Sequence, residues 1–248
     1  MAHKTPSFPQ ALSQVPLLQE ARPAARAALA HRAQYQTKGK GYVLFTKDDI
    51  ADWFYLIDRG WVKLFTETID GDEMVLDLLS AHDLIGETSP FYHKTYAVSA
   101  EMATGGGYWM FPLRWIEDEI KNHPPFAMAM MRYMAHKKAM RDKHIEHLTL
   151  QDAAQRLGCF LLRLLPPGAV MTERARLTLP VDKYLIANYL GMKPETFSRA
   201  LARLQDELGL DVDGAEITVP RPDRLVTYTC RACSDVYPCR DRVLKVVG

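Results

Sequence analysis

Apolar positions change their rhythm several times along this 248-residue chain. Leu17, Leu18, Ala21, Ala24, Ala25, Ala28 and Leu29 recur at helical spacing, interrupted by Pro23. From Gly39 to about Pro112 the texture turns to short β-prone runs at 42–45, 53–57, 61–66 and 74–79. Turn signals at Gly39-Lys-Gly41, Asp58-Arg-Gly60 and Asp70-Gly-Asp72 separate them, which predicts an antiparallel sandwich or roll. Pro124-Pro125 then open a stretch with no further Pro or Gly until Gly158. A proline just inside a helix start sacrifices no hydrogen bond, so a long helix is expected here. Along it Phe126, Met130 and Tyr133, with Ala127, Met131 and Met134 beside them, form a broad apolar stripe. Such a stripe packs on the β-domain, on a partner helix, or on both. Beyond Met140 it turns basic and His-rich through Arg141, Lys143, His144 and His147.

A further helical pattern runs from about 150 to 165 and stops at Pro166-Pro-Gly168. Two more follow at 181–190 and 194–208, joined by a turn. Ala187 is small enough to let the two helices approach, Gly191 supplies the positive φ of the turn, and Phe197 anchors the second helix. Phe197, Leu201 and Leu204 share the inward face with Ile186 and Leu190, while Glu195, Ser198, Arg199 and Ala202 face outward. Arginine can donate twice to guanine, glutamate accepts from cytosine, and serine does either. This outward set, with Thr196 in the same first turn, is that of a DNA-reading helix; Lys193 and Arg203 flank it toward phosphates. A helical hairpin with a surface Glu195–Arg199 ion pair is the plainer alternative. Asp213-Gly214 between two β-prone runs adds a hairpin, the wing of a winged helix-turn-helix.

Composition narrows the picture without redirecting it. Hydrophobic residues at 48% and charged ones at 25% are ordinary for a globular protein. The net charge of +1 requires any DNA contact to come from a local patch. No apolar run is long enough for a membrane span, and residues 1–10 lack a secretory pattern, so a cytoplasmic protein with no membrane partner is expected. Enzyme signatures are missing: there is no nucleophile elbow, phosphate-cradling glycine loop or HExxH, and Glu87 is a lone carboxylate. Cys159 stands apart, while Cys230, Cys233 and Cys239 crowd the tail. A CxxC with a third thiol nearby suits a metal or iron–sulfur cluster, a redox dithiol flanked by Arg231, Arg240 and Arg242, or simply reduced surface cysteines.

The order roll, long helix, winged helix-turn-helix resembles the Crp/Fnr family from about residue 15 to 225. The matching residues include Gly41-Tyr-Val-Leu-Phe45, Tyr55-Leu-Ile-Asp-Arg-Gly60, Gly71, Asp83-Leu-Ile-Gly86-Glu87 and Leu185-Ile-Ala-Asn-Tyr-Leu-Gly-Met-Lys-Pro-Glu-Thr-Phe-Ser-Arg199. This implies an α+β fold: a cyclic-nucleotide-binding-like antiparallel β-roll (1–122), a dimerisation helix (123–148), and a winged helix-turn-helix with a Cys-bearing tail (149–248). It also implies double-stranded DNA, a second copy of the chain, RNA polymerase and a small effector as partners. Glu-x-x-Ser-Arg preceded by Pro194 resembles the Fnr side, which implies TTGAT-like half-sites. The effector pocket would involve Gly86, Glu87, Lys94, Thr95 and Arg141.

The effector itself stays open. Cyclic-AMP binders carry Arg-Ser where this chain has Lys94-Thr95, and Thr-Ser where it has Arg141-Asp142; lysine cannot reproduce a two-pronged phosphate grip. No cysteine precedes Cys159, so an N-terminal iron–sulfur cluster has no ligands. The wording of 148–157 and of the reading helix resembles Dnr-type regulators, which implies haem-dependent sensing of nitric oxide. His31, His82, His93, His136 and His144 are candidate axial ligands.

Overall fold

The computed structural model describes residues 14–166, 168, 169, 173–235, 237 and 239. Residues 1–10, Pro167, Arg240 and Arg242, on which expectations above fall, lie outside them. The described chain divides into two compact units that meet within one helix, at Lys137 and Lys138.

The first unit opens with helices α1 (Pro16–Gln19) and α2 (Pro23–Arg32). Pro23 does not interrupt one helix; it starts the second, where its missing N–H is harmless. Eight strands follow: β1 (Gln34–Lys38), β2 (Val43–Phe45), β3 (Trp53–Arg59), β4 (Val62–Glu67), β5 (Glu73–Leu79), β6 (Leu84–Ile85), β7 (Ser99–Met102) and β8 (Gly106–Pro112). They make two four-stranded sheets, β1-β8-β3-β6 and β2-β7-β4-β5, antiparallel at every pairing. This is the β-roll. Its strands 2 to 5 sit within a residue or two of the expected runs, whereas β1, β6, β7 and β8 were not separately expected. Phe54, Leu56, Phe111 and Met102 fill the interior with essentially no exposure. Helix α3 (Arg114–Asn122) closes one side. Its Trp115 donates Nε1–H to the Ala25 carbonyl at 2.9 Å, and Glu119 takes both the Arg22 guanidinium and the Arg22 N–H.

Helix α4 (Pro124–Leu150) carries two different apolar stripes. Phe126, Ala129 and Met130 are buried in the roll's core with Tyr133 packed beside them. Met131, Met134, Ile145 and Leu148 are exposed. No described helix is long and apolar enough to cross a membrane.

The second unit contains α5 (Ala153–Leu164), β9 (Ala175–Thr178), α6 (Lys183–Tyr189), α7 (Pro194–Leu208), β10 (Asp211–Asp213), β11 (Glu216–Val219) and α8 (Pro222–Thr229). Helix α5 starts three residues later than its apolar pattern. Asp152 accepts from the Gln155 N–H and Gln155 reaches back to the Asp152 N–H, a capping box that fixes the boundary. Asp152 and Gln155 stand at the right spacing to have signalled this. Helix α6 likewise begins only after Asp182, whose carboxylate accepts from Leu185 N–H at 2.8 Å. The hairpin β10–β11 turns at Gly214-Ala215 and gains a third strand, β9, on its other edge. Neither β9 nor α8 was expected from the pattern.

Candidate nucleic-acid interface

Helices α6 and α7 and their turn are built from the inside. Leu185, Ile186, Ala187 and Leu190 are buried, as are Phe197, Ala200, Leu201 and Leu204 of α7. Gly191 between them has φ +63°, a left-handed conformation that costs a side chain energy but not glycine. The same packing settles which face of α7 points outward. Glu195, Ser198, Arg199, Ala202 and Arg203 are exposed and Thr196 is half-buried. Lys193, the residue before the helix, is exposed as well.

The outward side chains are arranged without neutralising one another. Arg199 reaches the Glu195 main-chain carbonyl (Nε to O, 3.4 Å) and the Thr196 hydroxyl (3.5 Å). It makes no pair with the Glu195 carboxylate, so the simple surface ion pair is not what the structure contains. Ser198 donates back to the Pro194 carbonyl at 3.0 Å. Arg203 differs from its neighbours. Its guanidinium is engaged by Asp152 Oδ2 at 3.0 Å and Glu207 Oε1 at 2.7 Å. These contacts tie α7 to the N-terminus of α5 and leave the remaining N–H groups of the half-exposed guanidinium for other partners.

The same architecture recurs in known proteins. Residues 155–228 match the Crp-like helix-turn-helix domain and residues 36–123 the cyclic nucleotide-binding domain. The fumarate and nitrate reduction regulatory protein of Salmonella typhi is 30% identical over 189 residues, covering 75% of this chain and 74% of that one. Its counterpart in Klebsiella oxytoca is 30% identical over 196 residues, 78% of this chain and 77% of the relative. The chain belongs to the Crp/Fnr family of transcription regulators. Among solved structures, FixK2 of Bradyrhizobium japonicum shares the fold, with a TM-score of 0.69, 21% identity, and coverage of 78% of this chain and 95% of that one. The expected α+β architecture and the non-enzymatic class are therefore both found.

The five residues expected to line an effector pocket are not brought together. Gly86 has φ +79°, and a Cβ there would stand 3.0 Å from the Tyr96 ring and 3.2 Å from the Trp53 carbonyl, so only glycine fits. Next to it Glu87 is buried. Burial pushes its pKa up, countered by the Lys137 ammonium and the Tyr133 hydroxyl, both on α4. The Tyr133 hydroxyl is itself buried and makes no hydrogen bond of ordinary geometry. Lys94 is elsewhere: 70% exposed, it pairs with Glu117 on α3 at 3.3 Å. Together they border an open cleft of about 410 Å³ that also takes in Asp52, Trp53 and Arg114. Thr95 follows it, bridged to Ile50. Arg141 is exposed and belongs to the second unit. Of the five only Glu87 is buried, with the half-buried Gly86 next to it, and Tyr133 and Lys137 are the partners that sequence reasoning missed. No local motif marks them; they are found only by placing α4 on the roll.

The side chains considered for haem or a metal are not gathered at one site among the described residues. Haem needs an enclosed apolar pocket with an axial ligand. His31, His82 and His93 are exposed, His136 is half-buried on α4, and His144 is stacked on Tyr189 with ring centroids 4.7 Å apart. These histidines do not fit a haem site. Nor are Cys230, Cys233 and Cys239 gathered to hold a metal or cluster. Among the described residues no group of three or more His, Cys, Asp or Glu side chains converges suitably. The reason is local, since Cys230–Ala232 forms a single 3₁₀ turn continuing α8 while Cys233 turns toward His147.

Proposed function

We propose that the chain acts as a homodimer that reads a TTGAT-like palindrome and is switched by a small effector acting at the roll. The observation that carries the reading is the outward face of α7. Glu195, Ser198 and Arg199 occupy its first two turns, unpaired with one another's charges, above a fully packed inner face. Those turns are the part of a recognition helix that enters the major groove. Lys193 and the wing β10–β11 would flank the contact along phosphates.

Dimerisation is supported by the second stripe of α4. Met131, Met134, Lys138, Arg141, Ile145 and Leu148 follow strict alternating steps of three and four, and all are exposed. That is the a/d seam of a two-helix coil with a polar middle. Two-fold pairing of identical helices also supplies the symmetry that two inverted half-sites require. The effector would act through Glu87, Tyr133 and Lys137, which link the roll to that same helix, and bias a pre-existing equilibrium of the dimer. RNA polymerase is the further partner that the family likeness implies.

Gel-shift titration of a TTGAT-N4-ATCAA duplex tests the reading. Arg199→Ala is expected to weaken specific binding by about 1–3 kcal/mol, roughly 5- to 150-fold, with little change on an unrelated duplex. Equal binding by Arg199→Ala and the parent would overturn it. An absorption spectrum of the same preparation checks the Dnr-type alternative, since a Soret band would mean that haem is held after all.

A further inference from the structure

His147, on α4, lies between two sulfurs. Its Nδ1 is 3.9 Å from Cys159 Sγ and its Nε2 is 3.6 Å from Cys233 Sγ. One of these cysteines is on α5 and the other follows α8, 74 residues later in sequence, so folding alone brings the three together. A second cation stands close by. The Lys143 ammonium is gripped by Glu146 Oε2 at 3.0 Å, Ser234 Oγ at 2.8 Å and Asp235 Oδ2 at 3.1 Å, and it feels the Cys233 sulfur electrostatically. Cys230 is one 3₁₀ turn before Cys233, and the two thiols also sense each other. All three sulfurs are half-buried.

We propose that Cys233 and Cys230 form a hydroperoxide-reactive dithiol on the DNA-binding unit, with His147 Nε2 as the base for Cys233. With the ring proton on Nδ1, beside Cys159, the Nε2 lone pair faces the Cys233 thiol and can take its proton. The Cys233 sulfur then attacks one oxygen of the hydroperoxide. The O–O bond breaks, Cys233 becomes a sulfenic acid, and the departing alkoxide collects the proton from His147 to leave as an alcohol, or as water if the oxidant is hydrogen peroxide. Cys230 next attacks the Cys233 sulfur. An S–S bond forms, the S–OH bond breaks, and the hydroxide leaves as water with the Cys230 proton. Two thiols are oxidised to one disulfide while one hydroperoxide is reduced. Burial raises the pKa of Cys230, which suits a thiol that waits protonated until the sulfenic acid is made.

The product would be felt nearby. Ser234, the next residue, donates its N–H to Glu146 Oε1 at 2.8 Å and its hydroxyl to Glu146 Oε2 at 2.9 Å. A Cys230–Cys233 bridge turns the Cys233 sulfur away from His147 and works against this clasp on α4. One helical turn earlier His144 stacks on Tyr189 of α6, the first helix of the reading motif. The site is separate from the roll and does not depend on what the roll binds.

The test uses the full chain, reduced and then exposed to hydrogen peroxide in the presence of dimedone, with peptide mass spectrometry as readout. The parent should yield a Cys230–Cys233 disulfide. Cys230→Ser should stop at Cys233 and give its dimedone adduct, Cys159→Ser should behave as the parent, and His147→Asn should slow Cys233 oxidation about a hundredfold or more, the low end for loss of a general base. The proposal is overturned by a disulfide joining other cysteines, by no Cys233 adduct in Cys230→Ser, by an unchanged rate in His147→Asn, or by a tightly bound metal ion on these thiols. Because no DNA enters the assay, its failure is distinguishable from failure of the palindrome reading.

Discussion

Glu87 is a carboxyl kept where its charge is costly. A carboxyl whose folded pKa lies above its unfolded value is protonated in both states at low pH and contributes no pH dependence there. Once the pH passes the unfolded value, about 4.3, the unfolded chain ionises first and stability falls as pH rises toward the folded value. Burial raises Glu87 in this sense, with Lys137 and Tyr133 only partly offsetting it. Glu87→Gln keeps the shape and removes the titration. Its melting temperature should match the parent's near pH 4 and exceed it at pH 7. Melts across that range decide the matter, and coincident curves would mean that Lys137 compensates fully. A buried acid retained at a cost to stability is what a functional site looks like, because a ligand that pairs with it returns the energy. The residue scale also shows what sequence could and could not display. Phe197, Glu195, Ser198 and Arg199 were legible because helix periodicity assigns their faces, and Gly191 because the turn between the helices needs a positive φ. Lys94 was not. Two consecutive residues, His93 and Lys94, adopt positive φ of +49° and +58°, and neither is of a type that announces it. The Cys159–His147–Cys233 cluster was equally hidden, since no spacing joins positions so far apart.

At the scale of elements, α4 is the instructive case. Its apolar positions were readable as one broad stripe, yet the helix divides them between two faces. Phe126 and Met130 enter the roll, while Met131 at 63% and Ile145 at 60% exposure face outward. Periodicity cannot say which of two adjacent stripes meets the chain's own core, because both satisfy the same spacing. The missed strands β1, β7 and β9 have a related cause. They are four or five residues long, and their alternation is diluted by Gln, Thr, Ser and Arg. The two stripes of α4 respond differently to substitution. Ile145→Glu places a charge in the C-terminal apolar part of the exposed seam without touching the roll. Sedimentation velocity should find it monomeric at concentrations where the parent is dimeric, with an unchanged helical spectrum. Phe126→Ala should instead lower stability by about 3–5 kcal/mol, as expected for an aromatic core deletion, and leave association intact. A parent that sediments as a monomer, or an Ile145→Glu variant that still pairs, would remove the seam from the argument.

For the whole molecule the decisive quantity is a net charge of +1, which leaves little general attraction for DNA. Binding strength must come from the few cations that actually reach phosphates, and those are countable. Each phosphate neutralised on duplex DNA releases condensed counterions and adds about 0.9 to the slope of log affinity against log salt. Lys193 and Arg203 look equivalent in sequence, both basic and both beside the reading helix. The structure separates them. Lys193 is exposed at the helix start, whereas Arg203 is already held by Asp152 and Glu207. Lys193→Ala should therefore lower the salt slope by about one and weaken specific and random duplexes alike. Arg203→Ala should leave the slope unchanged, because a guanidinium committed to two carboxylates releases no counterion from DNA. Its effect should appear as reduced stability of the DNA-binding unit, where it joins α7 to the cap of α5. Titrations of both variants from 50 to 300 mM salt distinguish the two roles. A slope reduced by Arg203→Ala would mean that the guanidinium reaches a phosphate on binding, while the α5 cap, held through Asp152 Oδ1 and Gln155, stays closed.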